Sequence, residues 1–177
     1  MKTLLIVTSL SLIGAVAAFA QGPYAGMQTR SIKALSDQQA SDLREGRGMG
    51  LALAAELNGY PGPSHLLELA DKLDLTAEQR SRVRELFNAM KQEAVPIGNR
   101  LLEQEAKLDD QFADRTVNEE SLKKSISEIA LTQGELRATH LKYHLSARSL
   151  LSDEQLRKYA ELRGYGDGSM PAHRHVH

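Results

Sequence analysis

Apolar residues recur through the middle of the chain at alternating steps of four and three: Val83, Phe87, Met90, Ala94, Ile97 and Leu101, with Leu108 and Phe112 further along. Such spacing puts one continuous stripe on the side of an α-helix that packs along its length. It predicts a helix over 76–112, roughly 55 Å long at ~1.5 Å per residue. Thr76-Ala77-Glu78-Gln79 marks its start, because a cap hydroxyl and a Gln three residues on satisfy two orphan amides reciprocally. Pro96 and Gly98 fall inside the stripe without changing its phase, which predicts a bend and not an end.

The tract ADRTVN (113–118) reads as a turn, and Thr116-Val117-Asn118-Glu119 as a second box. A return helix is expected to about Leu150, with Leu122, Ile126, Ile129, Leu136, Tyr143 and Leu150 on its seam. Gln133 and His140 fall at seam positions where Leu would be usual. A last helix starts at Ser152, with the box Ser152 to Gln155 and Leu151 stapled onto Leu156; Gly164 ends it.

Upstream the pattern is more broken. Residues 21–34 have no clear period and read as a loose lead-in. A short helix is expected over Asp37 to Arg44, then an interruption at Gly46, Gly48 and Gly50. LALAAEL (51–57) predicts a small-residue helix stopped by Asn58-Gly59, and GYPGP (59–63) a turn. Ser64 is expected to cap a helix over 64–73, with Leu66, Leu67, Ala70 and Leu73 on one side. No segment alternates with a convincing strand period. The predicted fold class is therefore all-α: a long antiparallel helical hairpin with short helices flanking its open end. One long stripe cannot cover itself, so a homodimer is expected.

Composition changes this picture at the termini. Lys2 precedes an apolar run from Leu4 to about Ala18, and Ala18-Phe19-Ala20 fits an export cleavage site before Gln21. The run is short for a membrane span, and no basic cluster follows it. The expected organisation is a cleaved signal peptide at 1–20, an extension at 21–63, a helical domain at 64–163 and a flexible tail at 164–177. The expected destination is the periplasm, with no membrane span left after cleavage. The 177 residues carry 22 Lys and Arg against 23 Asp and Glu, a formal net charge of −1, which argues against a nucleic-acid partner. There is no Cys and no Trp. Thiol catalysis, disulfides and cysteine-held zinc are excluded.

Three segments share the form L-[S/T]-x-x-Q: Leu35-Ser36-Asp37-Gln38-Gln39, Leu75-Thr76-Ala77-Glu78-Gln79 and Leu151-Ser152-Asp153-Glu154-Gln155. Each is a helix start, and Thr76, Gln79, Ser152 and Gln155 are expected to act as structural caps. Two of them flank the long helical pair. That arrangement resembles the LTxxQ proteins of the bacterial envelope, the Spy/CpxP group, with relatives of the ZraP and CnrX types. The resemblance covers about residues 64–163 and the export segment. It implies an all-helical fold, often a curved antiparallel dimer, and one of three tasks. Spy-like members are ATP-independent chaperones for non-native polypeptides. CpxP-like members damp an envelope sensor protein. ZraP- and CnrX-like members bind transition metals. The motif assigns the group and not the branch.

His140 and His144 lie one helical turn apart and share a face, within reach of a single ion. Imidazole suits divalent Zn, Ni, Co or Cu. Folding the hairpin about residue 115 sets position i opposite about 230 − i, so that His140 faces Met90 and His144 faces Leu86, with Glu93 a turn away. His140, His144, His65, Glu93 and Met90 are thus the candidate ligands. Sensors of the CnrX type pair such histidines with ligands from an earlier helix. His65 stands at a matching place, but Leu69 and not His follows it by four. The alternative is a hydrogen-bonded core His140 beside a solvated His144. His173, His175 and His177 in the tail form a weaker candidate for metal capture, or simply a solvated end.

No G-x-S-x-G, H-E-x-x-H or phosphate-cradling glycine loop is present, and Gly46 to Gly50 follow no strand. An enzyme is not expected, nor a required cofactor. The leading expectation is a periplasmic Spy/CpxP-like binding protein, either an ATP-independent chaperone or an envelope-stress modulator. The alternative is a heavy-metal-binding sensor or resistance accessory of the CnrX/ZraP type.

Overall fold

Reciprocal hydrogen bonds set where most of the helices begin. Thr76 Oγ1 accepts the Gln79 amide at 3.1 Å, while Gln79 Oε1 accepts the Thr76 amide at 3.0 Å. Ser36 with Gln39 and Ser152 with Gln155 repeat the exchange. The computed structural model describes residues 22–165; the export segment expected at 1–20 and the histidines His173, His175 and His177 lie outside the described residues. Among the described residues the chain is all-α. A 3-10 turn at Met27–Thr29 precedes α1 (Asp37–Arg44), α2 (Leu53–Glu56), α3 (Pro63–Glu68), α4 (Ala77–Ala113), α5 (Glu119–Arg148) and α6 (Asp153–Leu162), with no strand. No helix among them is long and apolar enough to cross a membrane.

Local chemistry explains where the boundaries differ from expectation. The box before α5 is Asn118 with Ser121, not Thr116 with Glu119. The Thr116 amide is already bonded to Gln111 O at 3.0 Å, closing the end of α4, so Thr116 belongs to the preceding helix. The cap of α3 is Gly62 and not Ser64. Pro63 takes the first helical position, where its fixed φ suits the helix and its missing N–H leaves nothing unpaired. α3 and α2 are both shorter than expected; α3 ends at Glu68, and Asp74, with a left-handed φ of 50°, lies in the turn that leads into α4. α4 runs unbroken through Pro96, which is exposed.

α4 and α5 pack along one another in opposite directions. Glu93 accepts a hydrogen bond from Lys142 at 2.5 Å, Arg100 pairs with Glu135, and Ser125 donates to Gln111 at 3.3 Å. These pairs set position i opposite about 235 − i, a register several residues away from 230 − i. The cause is the cap at Asn118, which moves the turn toward the C-terminus. The buried face of α5 is Ser125, Ile129, Thr132, Leu136, Thr139, His140, Tyr143, His144 and Ala147. Ile126 is 49% exposed and Phe112 55% exposed, and Gln133 is also on the surface. Ser125 occupies the place expected for Ile126 because it bonds to Gln111.

The N-terminal extension packs on the seam. Ile32, Ala40 and Leu43 join Ala94, Ile97, Leu101 and Leu102 of α4 and Ile129 and Leu136 of α5 in one apolar cluster. Gly98 makes this possible: a Cβ there would lie 2.3 Å from Leu43 O. A second cluster at the other end gathers Leu66, Ala70, Leu73, Leu75, Val83, Ala147 and Tyr159. Between the two clusters the packing opens into a cavity.

Candidate functional site

The cavity holds about 200 Å³ and lies where α2, α3 and the Gly48–Gly50 loop meet Met90 of α4 and His140 and His144 of α5. Two buried histidines on one helix turn dominate its wall. His140 is 2% exposed, and its Nε2 has no hydrogen-bond partner. Burial, and then the nearby charge of His144, hold its pKa below the usual imidazole value. The ring is therefore neutral at neutral pH, with a nitrogen lone pair available.

His144 is oriented by its other nitrogen. Nδ1 lies 2.7 Å from Tyr60 O. A carbonyl only accepts, so Nδ1 carries the proton and Nε2 of the neutral ring is the bare nitrogen. A carbonyl behind the ring fixes the tautomer in the way that suits a metal ligand. Gly62 is required beside it, because a Cβ at that position would fall 2.9 Å from His144 Nε2 and Cε1.

Glu56, which no sequence motif marked, is the charged group of the site. It ends α2, is 4% exposed, and receives the Gly62 amide on Oε2 at 3.2 Å. Oε1 is 3.2 Å from His65 Nδ1 and accepts a hydrogen bond from the Tyr159 hydroxyl. Arg163 Nε stands 3.8 Å away. Burial pushes the Glu56 carboxyl upward, but the bonds from His65, Tyr159 and Gly62 outweigh it and hold the pKa below the usual value. Burial and the carboxylate beside it push the Tyr159 hydroxyl well up. His65 is one-third exposed at the rim.

Of the sequence candidates, His140, His144, His65 and Met90 line one cavity. Glu93 does not. It sits on the surface, bonded to Lys142 and to the Tyr143 hydroxyl at 2.7 Å. Burial and then Glu93 raise the Tyr143 hydroxyl to about 12. In the observed register Glu93 is level with the histidines, opposite Lys142, but on the exposed face of the helix pair, away from the cavity. Met49 joins the cavity from the glycine loop. No pattern in the sequence marks Glu56; its burial, like that of Ala52 four residues earlier, is visible only in the folded chain.

Among the described residues no three of His, Asp and Glu already surround a common point at ligating distance. The donor types nevertheless fit a transition ion, with an unpartnered imidazole nitrogen, a second fixed by its tautomer and a thioether beside them. Holding one would require the side chains to turn inward. The capping residues Thr76, Gln79, Ser152 and Gln155 lie apart from the cavity at the starts of α4 and α6. No protein-family model, curated protein or solved structure matches the chain.

Proposed function

We propose that this chain is a helical metal-binding protein of the bacterial envelope, a sensor or resistance accessory that captures a transition ion. The observation that supports it best is the buried His140 Nε2, unpartnered, one turn from the bare Nε2 of His144. Leaving such a nitrogen unsatisfied costs roughly 1–3 kcal/mol, a cost that a bound ion would remove. A bound ion would supply a positive centre that draws the helices carrying its ligands together. Calorimetric titration of the purified chain with Zn, Ni and Co salts tests this. One site per chain with a Kd near ~1 μM or tighter is expected, lost in His140→Ala. Saturable binding that ignores His140 and His144 would reject the reading.

A second reading has its own support. Phe112 and Ile126 are exposed toward the α4–α5 turn, beyond the part of the seam that α1 covers. An antiparallel homodimer of the helical hairpin, or a non-native client, would bury them, as in a Spy/CpxP-like chaperone or stress modulator. Light scattering at micromolar concentration tests the dimer. A monomer whose Phe112→Ser and Ile126→Ser variants protect an aggregating client as well as the parent does would reject it. The periplasmic assignment rests on the export segment, and sequencing the amino terminus of the secreted protein checks cleavage before Gln21.

A further inference from the structure

We infer that the cavity is built for a soft monovalent ion, cuprous copper, held by the thioethers of Met49 and Met90 together with His140 and His144. This deepens the metal-binding reading above and rests on it.

The free donors decide which ion fits. The hard donor of the cavity is already engaged: the Glu56 carboxylate takes bonds from Gly62, Tyr159 and His65. That arrangement occupies His65 Nδ1 as well. The donors left are two methionine sulfurs and the Nε2 atoms of His140, His144 and, at the rim, His65. The two buried imidazoles and two thioethers, with no Cys anywhere in the chain, form a soft set. Thioether sulfur selects Cu(I), whereas carboxylate oxygen suits harder ions. Of the five methionines in the sequence, two line this one cavity.

Met49 is placed there by an unusual backbone. Its φ is +44°, a left-handed conformation that a residue with a Cβ seldom adopts. Gly50 after it makes the loop possible. It also has a positive φ, and Gly48 lies against the His140 ring, where a Cβ would make ordinary contact 3.6 Å from Nδ1. Bonds from Leu51 N to Gly48 O at 2.7 Å and from Leu53 N to Gly50 O at 3.1 Å close a turn on each side. Met49 is therefore held beside the histidines while 40% exposed, and Met90 lies deeper at 6%. Backbone strain of this kind clusters at ligand sites. A flexible, polarizable side chain at the entrance suits a soft ion better than a packing role does.

The test is Cu(I) competition against bicinchoninate under ascorbate, with Zn(II) titrated in parallel, on the full chain and its variants. All variants share the tail histidines, so differences report the cavity. Met49→Leu, which keeps size and leaves the core untouched, is expected to weaken Cu(I) by about tenfold or more while moving Zn(II) by less than about threefold. Met90→Leu, checked for fold by circular dichroism, is expected to do the same. X-ray absorption of the Cu(I) form is expected to show sulfur beside nitrogen around the ion. If both leucine variants keep Cu(I) within about twofold of the parent, or only nitrogen and oxygen scatterers are seen, the sulfur site is wrong and the metal-binding reading stands. If His140→Ala also leaves both ions bound as before, the metal-binding reading fails with it.

Discussion

The side-chain amides of Gln79 and Gln155 hydrogen-bond to each other, 76 residues apart in sequence, with Nε2 of each donating to Oε1 of the other at 2.9 and 3.0 Å. Each Oε1 also accepts its own cap amide. Gln79 Nε2 reaches Leu150 O at 2.8 Å, and Gln155 Nε2 reaches Leu73 O at 3.4 Å. The two boxes thus do more than start their helices. They tie the start of α4 to the start of α6 and to the chain ends that precede both.

This coupling predicts non-additive stabilities. Thr76→Ala and Ser152→Ala each remove one cap hydroxyl and are expected to cost about 1 kcal/mol. Gln79→Ala and Gln155→Ala are different, because either one already orphans the other amide. Their double mutant should cost less than the sum of the singles by about 0.5–1 kcal/mol. Urea unfolding of the four proteins in the cycle measures it. Strict additivity of the Gln pair would mean that the contact contributes nothing, and metal affinity should not change in any of them.

Gly98 and Gly134 make a matched pair on the two long helices. A Cβ at Gly98 meets Leu43 O at 2.3 Å, so Gly98→Ala must push α1 off α4. A loss of about 1–3 kcal/mol is expected. A Cβ at Gly134 meets nothing within 4 Å. Gly134→Ala should stabilise α5 by roughly 0.5–1 kcal/mol. Thermal unfolding should move in opposite directions for the two substitutions.

Glu56 predicts an acid dependence of stability. Its folded pKa lies below the ordinary value of 4.5. Around that pH the unfolded chain binds more protons than the folded one, so stability rises with pH there. The contribution is complete above about 4.5 and is lost as pH falls through the lower folded value. Glu56→Gln should cost about 1–3 kcal/mol at pH 7, where bonds from Tyr159, His65 and the Gly62 amide lose their ionic partner. The gap between parent and variant should shrink as the pH falls toward 3. A gap that stays constant from pH 7 to 3 would mean that the carboxyl binds protons equally in the folded and unfolded chain, with no shift at all.

Gly62 separates fold from site. A Cβ there lies 2.9 Å from His144, so Gly62→Ala must displace the ring from its bond to Tyr60 O. Zn(II) affinity should fall by about tenfold or more while the helical circular dichroism spectrum persists. Unchanged affinity would show that His144 is not a ligand.

The sequence by itself determined the helices, because their signals are local. The caps at Ser36, Thr76 and Ser152 each act over three residues, and the stripe from Val83 to Leu101 repeats every three or four. The shared face of His140 and His144 was legible for the same reason, since one turn of helix puts them side by side. Register was not: a Thr that starts a helix and one that finishes the previous helix look alike until the Thr116 amide is seen bonded to Gln111 O. The rotation of the helices was not legible either: Glu93 lies level with the histidines, opposite Lys142, yet faces solvent. Glu56 was invisible because a single acid in a small-residue segment carries no pattern. Its burial depends on Gly62 and His65 at the start of α3 and Tyr159 and Arg163 at the end of α6 arriving from two other parts of the chain. Likewise the extension reads as a loose lead-in with broken helices. Only the gap left by Gly98 on α4 decides that α1 packs there, because close backbone approach is a property of two surfaces and not of either segment alone.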